Sequence, residues 1–62
     1  MDEYILLGLN INGAIEDASD SQVNVGNACF HAKQLGEKDK AQKLELCWNK
    51  LEEVIKILNT IK

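Results

Sequence analysis

The fold turns on one stretch, Ala41-Gln42-Lys43-Leu44-Glu45-Leu46-Cys47-Trp48-Asn49-Lys50-Leu51-Glu52-Glu53-Val54-Ile55-Lys56-Ile57-Leu58-Asn59-Thr60-Ile61. Leu44, Leu51 and Leu58 recur every seven residues, and Cys47, Val54 and Ile61 follow each of them by three. This spacing puts all six on one stripe of a helix. Trp48 and Ile55 lie beside the stripe and widen it, whereas Leu46 and Ile57 fall outside it. One neighbouring helix cannot cover so much apolar surface, so the spacing predicts a helix over 40–61 that is enclosed from more than one side.

Working back along the chain, Gly36 stands where a left-handed residue ends a helix. Asp39 with Gln42 three residues later resembles a capping box. A helix stop and a helix start are therefore expected two or three residues apart. The preceding segment, about 22–35, carries Val25, Ala28, Ala32 and Leu35 as its stripe, with Cys29 beside it. Phe30 lies off that line and is assigned to the first helix's side. Folding the chain about Lys38 pairs Leu35 with Ala41, Ala32 with Leu44, Cys29 with Cys47, Ala28 with Trp48 and Val25 with Leu51. Every pair is apolar, and small residues oppose large ones as antiparallel helices require. One continuous helix over 22–61 is disfavoured, because its stripe would run through Lys40, Glu37 and Lys33.

Residues 2–19 have two readings. Tyr4, Leu7, Ile11, Ala14 and Ala18 follow helical spacing, and Asp2 and Glu3 suit a helix start. Against this, Leu7, Leu9 and Ile11 alternate with Gly8, Asn10 and Asn12, and Asn12-Gly13 is a hairpin-turn signal. The residues that follow, Ala14-Ile15-Glu16-Asp17-Ala18, make a poor second strand. Helix is the preferred reading, with close helix packing as a reason for Gly8 and Gly13. Ser19-Asp20-Ser21 then serves as a connection that caps the next helix.

A chain of 62 residues makes one domain, and one this short buries only about 60% of its unfolded surface. Apolar residues make up 45%, enough for a core. The net charge is -3 and every basic residue is Lys, with no Arg. Arg is the usual reader of guanine and phosphate, so nucleic acid is a disfavoured partner. Lys38, Lys40 and Lys43 are interleaved with Glu37, Asp39 and Glu45 and read as a solvated turn. The acidic start does not resemble a signal peptide, and no apolar run approaches a membrane span. A cytoplasmic protein with reduced cysteines is expected. Frequent Lys, Asn and Ile with no Arg or Pro suggest an AT-rich genome, that of a low-GC bacterium or its phage.

No constellation compels a reaction. Cys29 and Cys47 read as two buried thiols, with a hairpin-clamping disulfide and a redox thiol as alternatives. Cys29 and His31 are two apart, which splays them on a helix, and no further metal ligand is evident. His31 lacks a positioned acid or nucleophile. Glu16, Asp17 and Asp20 lack the spacing of a calcium loop, and the four glycines are too widely spaced to cradle phosphate. Neither a catalytic residue, a metal site nor a cofactor is expected, and the chain is not read as an enzyme.

Two resemblances bear on this. Val25-Gly26-Asn27-Ala28-Cys29-Phe30 followed by Leu35-Gly36-Glu37-Lys38-Asp39-Lys40-Ala41 resembles a tetratricopeptide-repeat hairpin over about half the chain. Such repeats work in arrays of about three, and here there is one, so no binding residue is carried over. The closing helix faintly resembles the two-helix aspartyl-phosphate phosphatases of sporulating bacteria. Where those carry Ser-Gln-x-Leu-Asp, this chain has Trp48-Asn49-Lys50-Leu51-Glu52, without the Ser, Gln or Asp, and the activity does not transfer.

The resulting expectation is an all-α, small three-helix bundle with helices at about 2–19, 22–35 and 40–61. The last two form a C-terminal antiparallel hairpin, and the surplus apolar surface implies a homodimer or higher oligomer. Leu46, Trp48, Ile57, Leu58 and Ile61 are the candidate interaction residues. The expected function is a small cytosolic regulatory protein that binds and occludes a partner protein. The alternative is a helical oligomer holding a small molecule or nucleotide between subunits.

Overall fold

A computed structural model describes residues 2–62. It is all-helical and contains two helices, α1 (Glu3–Gln34) and α2 (Lys38–Ile61), packed as an antiparallel hairpin. The three expected helices are thus two: the first pair is one helix of 32 residues that runs straight through Ser19-Asp20-Ser21. The physical reason lies in the pattern across that junction. Ile11, Ile15, Ala18, Gln22, Val25, Cys29 and Ala32 alternate by four and three without a break, and all are buried or half-buried. A stripe that stays in register along one partner helix favours continuing the backbone, and residues able to cap a helix do not end it unless the chain turns. The strand reading of residues 4–18 fails for the same reason.

The ends follow their local chemistry. Asp2 caps α1, its carboxylate accepting the Tyr4 amide at 2.7 Å. At the other end Gly36 takes the left-handed conformation, φ 74°. The Glu37 amide donates to the Ala32 carbonyl at 2.9 Å and the Gly36 amide to that of Lys33 at 3.1 Å. This pair of bonds is a Schellman motif. It delivers Glu37 to the N-cap position, so α2 starts at Lys38, two residues before the expected start. Asp39 consequently sits in the first turn, where its charge suits the helix dipole, and does not cap.

The earlier start also shifts the hairpin register. Gly26 faces Trp48 and Gln22 bonds Glu52, so the chain folds about Glu37 instead of Lys38. An ideal Cβ on Gly26 would lie 3.4 Å from Cδ1 and Nε1 of Trp48, so the indole rests against the α1 backbone. Gly26, not Ala28, is therefore the small partner of Trp48, and Ala28 is exposed. Cys29 does not meet Cys47. It packs with Ala32 and Ala41 against Leu44, and its thiol donates to the Ala41 carbonyl at 3.4 Å. Both cysteines are free, Cys47 at the surface. The seam on α2 runs through Ala41, Leu44, Trp48, Leu51, Ile55 and Leu58, while Cys47, Val54 and Ile61 are left exposed along one flank. Leu35, assigned to the stripe, is 79% exposed.

The hairpin is long and thin, 51 × 17 × 11 Å, with a radius of gyration of 14.9 Å. A compact chain of this length has about 11 Å. At 1.5 Å per residue α1 is about 12 Å longer than α2, and with Ile61 level with Gly13 the first turns of α1 project past the end of α2. That projection carries Tyr4, Ile5, Leu7 and Leu9, all exposed. Among the described residues no helix is long and apolar enough to cross a membrane.

Candidate interaction surface

Two antiparallel helices bury one stripe each and leave two broad faces, one on either side of the plane through their axes. On α1 the flanking lines repeat every seven residues. One reads Leu9, Glu16, Val23, Phe30 and the other Leu7, Ala14, Ser21, Ala28, and all eight are exposed. The α2 residues on each side are fixed by shared grooves. Phe30 lines a groove with Gly26, Lys33, Glu45, Trp48 and Asn49. Leu7 and Ile11 line another with Ile61 and Lys62 at the open end. The first side is termed the Phe30 face and the second the Val54 face.

The Phe30 face combines an aromatic and aliphatic ridge on α1 with a polar strip on α2. Val23 is 63% exposed and Phe30 58%. The Phe30 ring meets His31 edge-on with centroids 5.5 Å apart, so His31 packs locally on a neighbouring aromatic. Trp48 keeps 38% of its surface and forms the floor at the α2 side. Beside it the Gln22 side-chain amide donates to the Glu52 carboxylate at 2.6 Å across the seam. Gln22 is the one polar residue in the inward line of α1, and it makes this bond where an apolar residue would make none.

The Val54 face has the opposite texture. Its α1 line is small, Ala14, Ser21 and Ala28 after Leu7. Its α2 line reads Lys43, Cys47, Lys50, Val54, Ile57, Ile61, with lysines towards the turn and aliphatic residues towards the open end. Of the five candidate interaction residues, Ile57 and Ile61 lie here, 63% and 58% exposed. Trp48 borders the Phe30 face. Leu46 points away from α1 and is exposed, and Leu58 is half-buried in the seam. Phe30 and Val23 lie outside the candidate set, and Phe30 does not cover a first helix as expected; Leu9, a further candidate for contact with a second copy, stands in line with them on α1. Their seven-residue line becomes visible only when residues 3–34 are read as a single helix.

Among the described residues no three His, Cys, Asp or Glu side chains are grouped to hold a metal ion. The grooves are shallow and open to solvent. Comparison with protein-family models, with curated proteins and with solved structures gives no match.

Proposed function

We propose that this chain is a small cytosolic regulatory protein that acts by contact, binding and occluding a partner protein through its Phe30 face, without catalysis. The observation that supports the reading is the pair of exposed side chains Val23 and Phe30 beside the half-exposed Trp48, bordered by Glu45, Asn49 and Glu52. Exposed aromatic and aliphatic anchors inside a polar border are the composition of an interface that forms and separates, where a permanent interface is more uniformly apolar. Trp and its aromatic neighbours are also the residue types that concentrate binding energy. Large solvent-facing apolar side chains in line along a helix carry a solubility cost, and contact with a partner relieves it.

The test is affinity capture from a low-GC bacterial lysate with the tagged protein and its Phe30→Ser and Val23→Ser variants. A stoichiometric protein partner that is retained by the parent chain and lost from both variants supports the reading. Absence of such a partner, or retention that ignores both substitutions, overturns it.

A further inference from the structure

We infer that the Val54 face is covered by a second copy of this chain, in an antiparallel four-helix bundle whose two turns lie at opposite ends. This uses the face that the partner reading leaves free and does not depend on that reading.

The first argument is area. The hairpin exposes 4971 Å². A compact folded monomer of 6.9 kDa exposes about 4,000 Å² on the general size scaling. The excess, about 1,000 Å², is close to the roughly 800 Å² that each partner loses in a standard protein–protein interface. Among the described residues only Cys29, Ala32 and Ala41 are buried, and each is small. A second copy supplies the missing burial, and two-stranded helical pairs joined face to face are a stable arrangement.

The second argument is self-complementarity. A two-fold interface brings the same surface of both copies together, so its pattern must match itself when reversed. Reversed about Asp17 and Ala18, the α1 line places Leu7 against Ala28 of the second copy and Ala14 against Ser21. Large meets small at the ends, and small meets small at the centre, where the helices approach. The same axis meets α2 near Ile57, placing Val54 of each copy beside Ile57 of the other. The aliphatic half of α2 then overlaps itself, and Lys43 stays outside the overlap. The projecting turns of α1, with Leu7, lie along the second copy instead of in solvent.

The arrangement with both turns at one end fails on the same residues. It lays Lys43 and Lys50 against Ala28 and Ser21 of the other copy, a loss of solvation for both ammonium groups. It also leaves both α1 projections together with no α2 beside either.

Sedimentation equilibrium of the full chain, with electron–electron distances between nitroxide labels, tests this. Labels are placed at Gln34→Cys or Asp20→Cys in a chain carrying Cys29→Ala and Cys47→Ser. A dimer is expected, with labels at position 34 separated by about 50 Å and those at position 20 by less than about 25 Å, from 1.5 Å of rise per residue on either side of the axis. Ile57→Glu is expected to weaken the dimer by about tenfold or more, whereas Phe30→Ser leaves it intact. A monomer at high micromolar concentration overturns the inference. So does a dimer with short distances at both positions, or one that Phe30→Ser dissociates and Ile57→Glu does not. The distances are read on folded dimer, so they decide the geometry even where Ile57→Glu unfolds the chain.

Discussion

The two faces of this hairpin are built from the same two helices and differ in where the bulk sits. On the Phe30 face the large side chains stand on α1, and α2 beside them is polar. On the Val54 face α1 is nearly flat, and the aliphatic side chains stand on the open-end half of α2. A ridge beside a polar strip fits a surface that is alternately wet and covered. A flat line beside an aliphatic one fits a surface that stays covered. Both faces hang on one seam, in which the largest side chain is Trp48. The seam, then, is where a single change should damage both, and each face should be separable from the other.

The largest effect is accordingly expected from Trp48→Ala. It removes the indole that lies on the Gly26 backbone and leaves a gap between the helices. Truncating a fully buried Trp costs about 3–5 kcal/mol. With Trp48 38% exposed, about 3 kcal/mol is expected here, or a fall of roughly 12–24 °C in Tm for a chain of this size. Thermal unfolding followed by circular dichroism at 222 nm reads this directly. A fall of less than a few degrees would mean that the seam is not held by Trp48, and the common support of the two faces would have to be sought elsewhere.

Next comes the polar bond at the edge of the Phe30 face. Hydrogen bonds to a charged group contribute about 1.5–3 kcal/mol, less where solvent competes. Gln22→Ala is therefore expected to cost about 1 kcal/mol in urea unfolding. Gln22→Leu should recover that stability by extending the apolar line, while leaving Glu52 without its donor. A polar residue within an apolar seam fixes helix register at some cost in stability. If Gln22→Leu also leaves the Gly26–Trp48 alignment unchanged in a determined structure, the bond has no part in register and the seam is aligned by shape alone.

The same seam shows what was legible in the sequence. The hairpin, the Gly36 turn, the all-helical class and the apolar excess of α2 could all be read, because each rests on local chemistry or on a seven-residue repeat. The number of helices could not. Ser19-Asp20-Ser21 has the composition of a connection, and only the unbroken line from Ile11 to Ala32 argues otherwise. The split of the α2 stripe was also hidden. Leu44, Leu51 and Leu58 were rightly placed in the seam, but periodicity does not say whether their companions are Trp48 and Ile55 or Cys47 and Val54. That choice is set by a register two residues tighter than expected, which follows from the Schellman bonds at the turn. Phe30 and Val23 were missed because their line crosses the supposed break.

Gly13 and Gly26 distinguish open helix surface from seam. A methyl added at Gly13 meets nothing within 4 Å, while one at Gly26 meets the Trp48 indole at 3.4 Å. Gly within a helix costs about 1 kcal/mol relative to Ala. Gly13→Ala should therefore gain close to that amount, and Gly26→Ala less, since the indole has to give way slightly. Close packing is thus not the reason for Gly13. Equal gains at both positions in urea unfolding would show that Trp48 rides loosely on α1.

The smallest expected change is at Phe30, and it separates the faces most clearly. Phe30 is 58% exposed, and the ring contact it makes is with its neighbour His31, so Phe30→Ser removes little that folding gains. Surface substitutions of this kind stay within about 0.5 kcal/mol, and the urea midpoint is expected to hold. The same variant is expected to lose the captured partner and keep the dimer. Exposure alone does not distinguish Phe30 from Ile57, since both are largely open in the hairpin. What differs is the line each belongs to: that of Phe30 ends in bulk with no self-complement, and that of Ile57 overlaps its own copy about a two-fold axis. A Phe30→Ser midpoint shifted as far as that of Ile57→Glu would place both residues in one assembly interface, and the hairpin would then have no face left for a foreign protein.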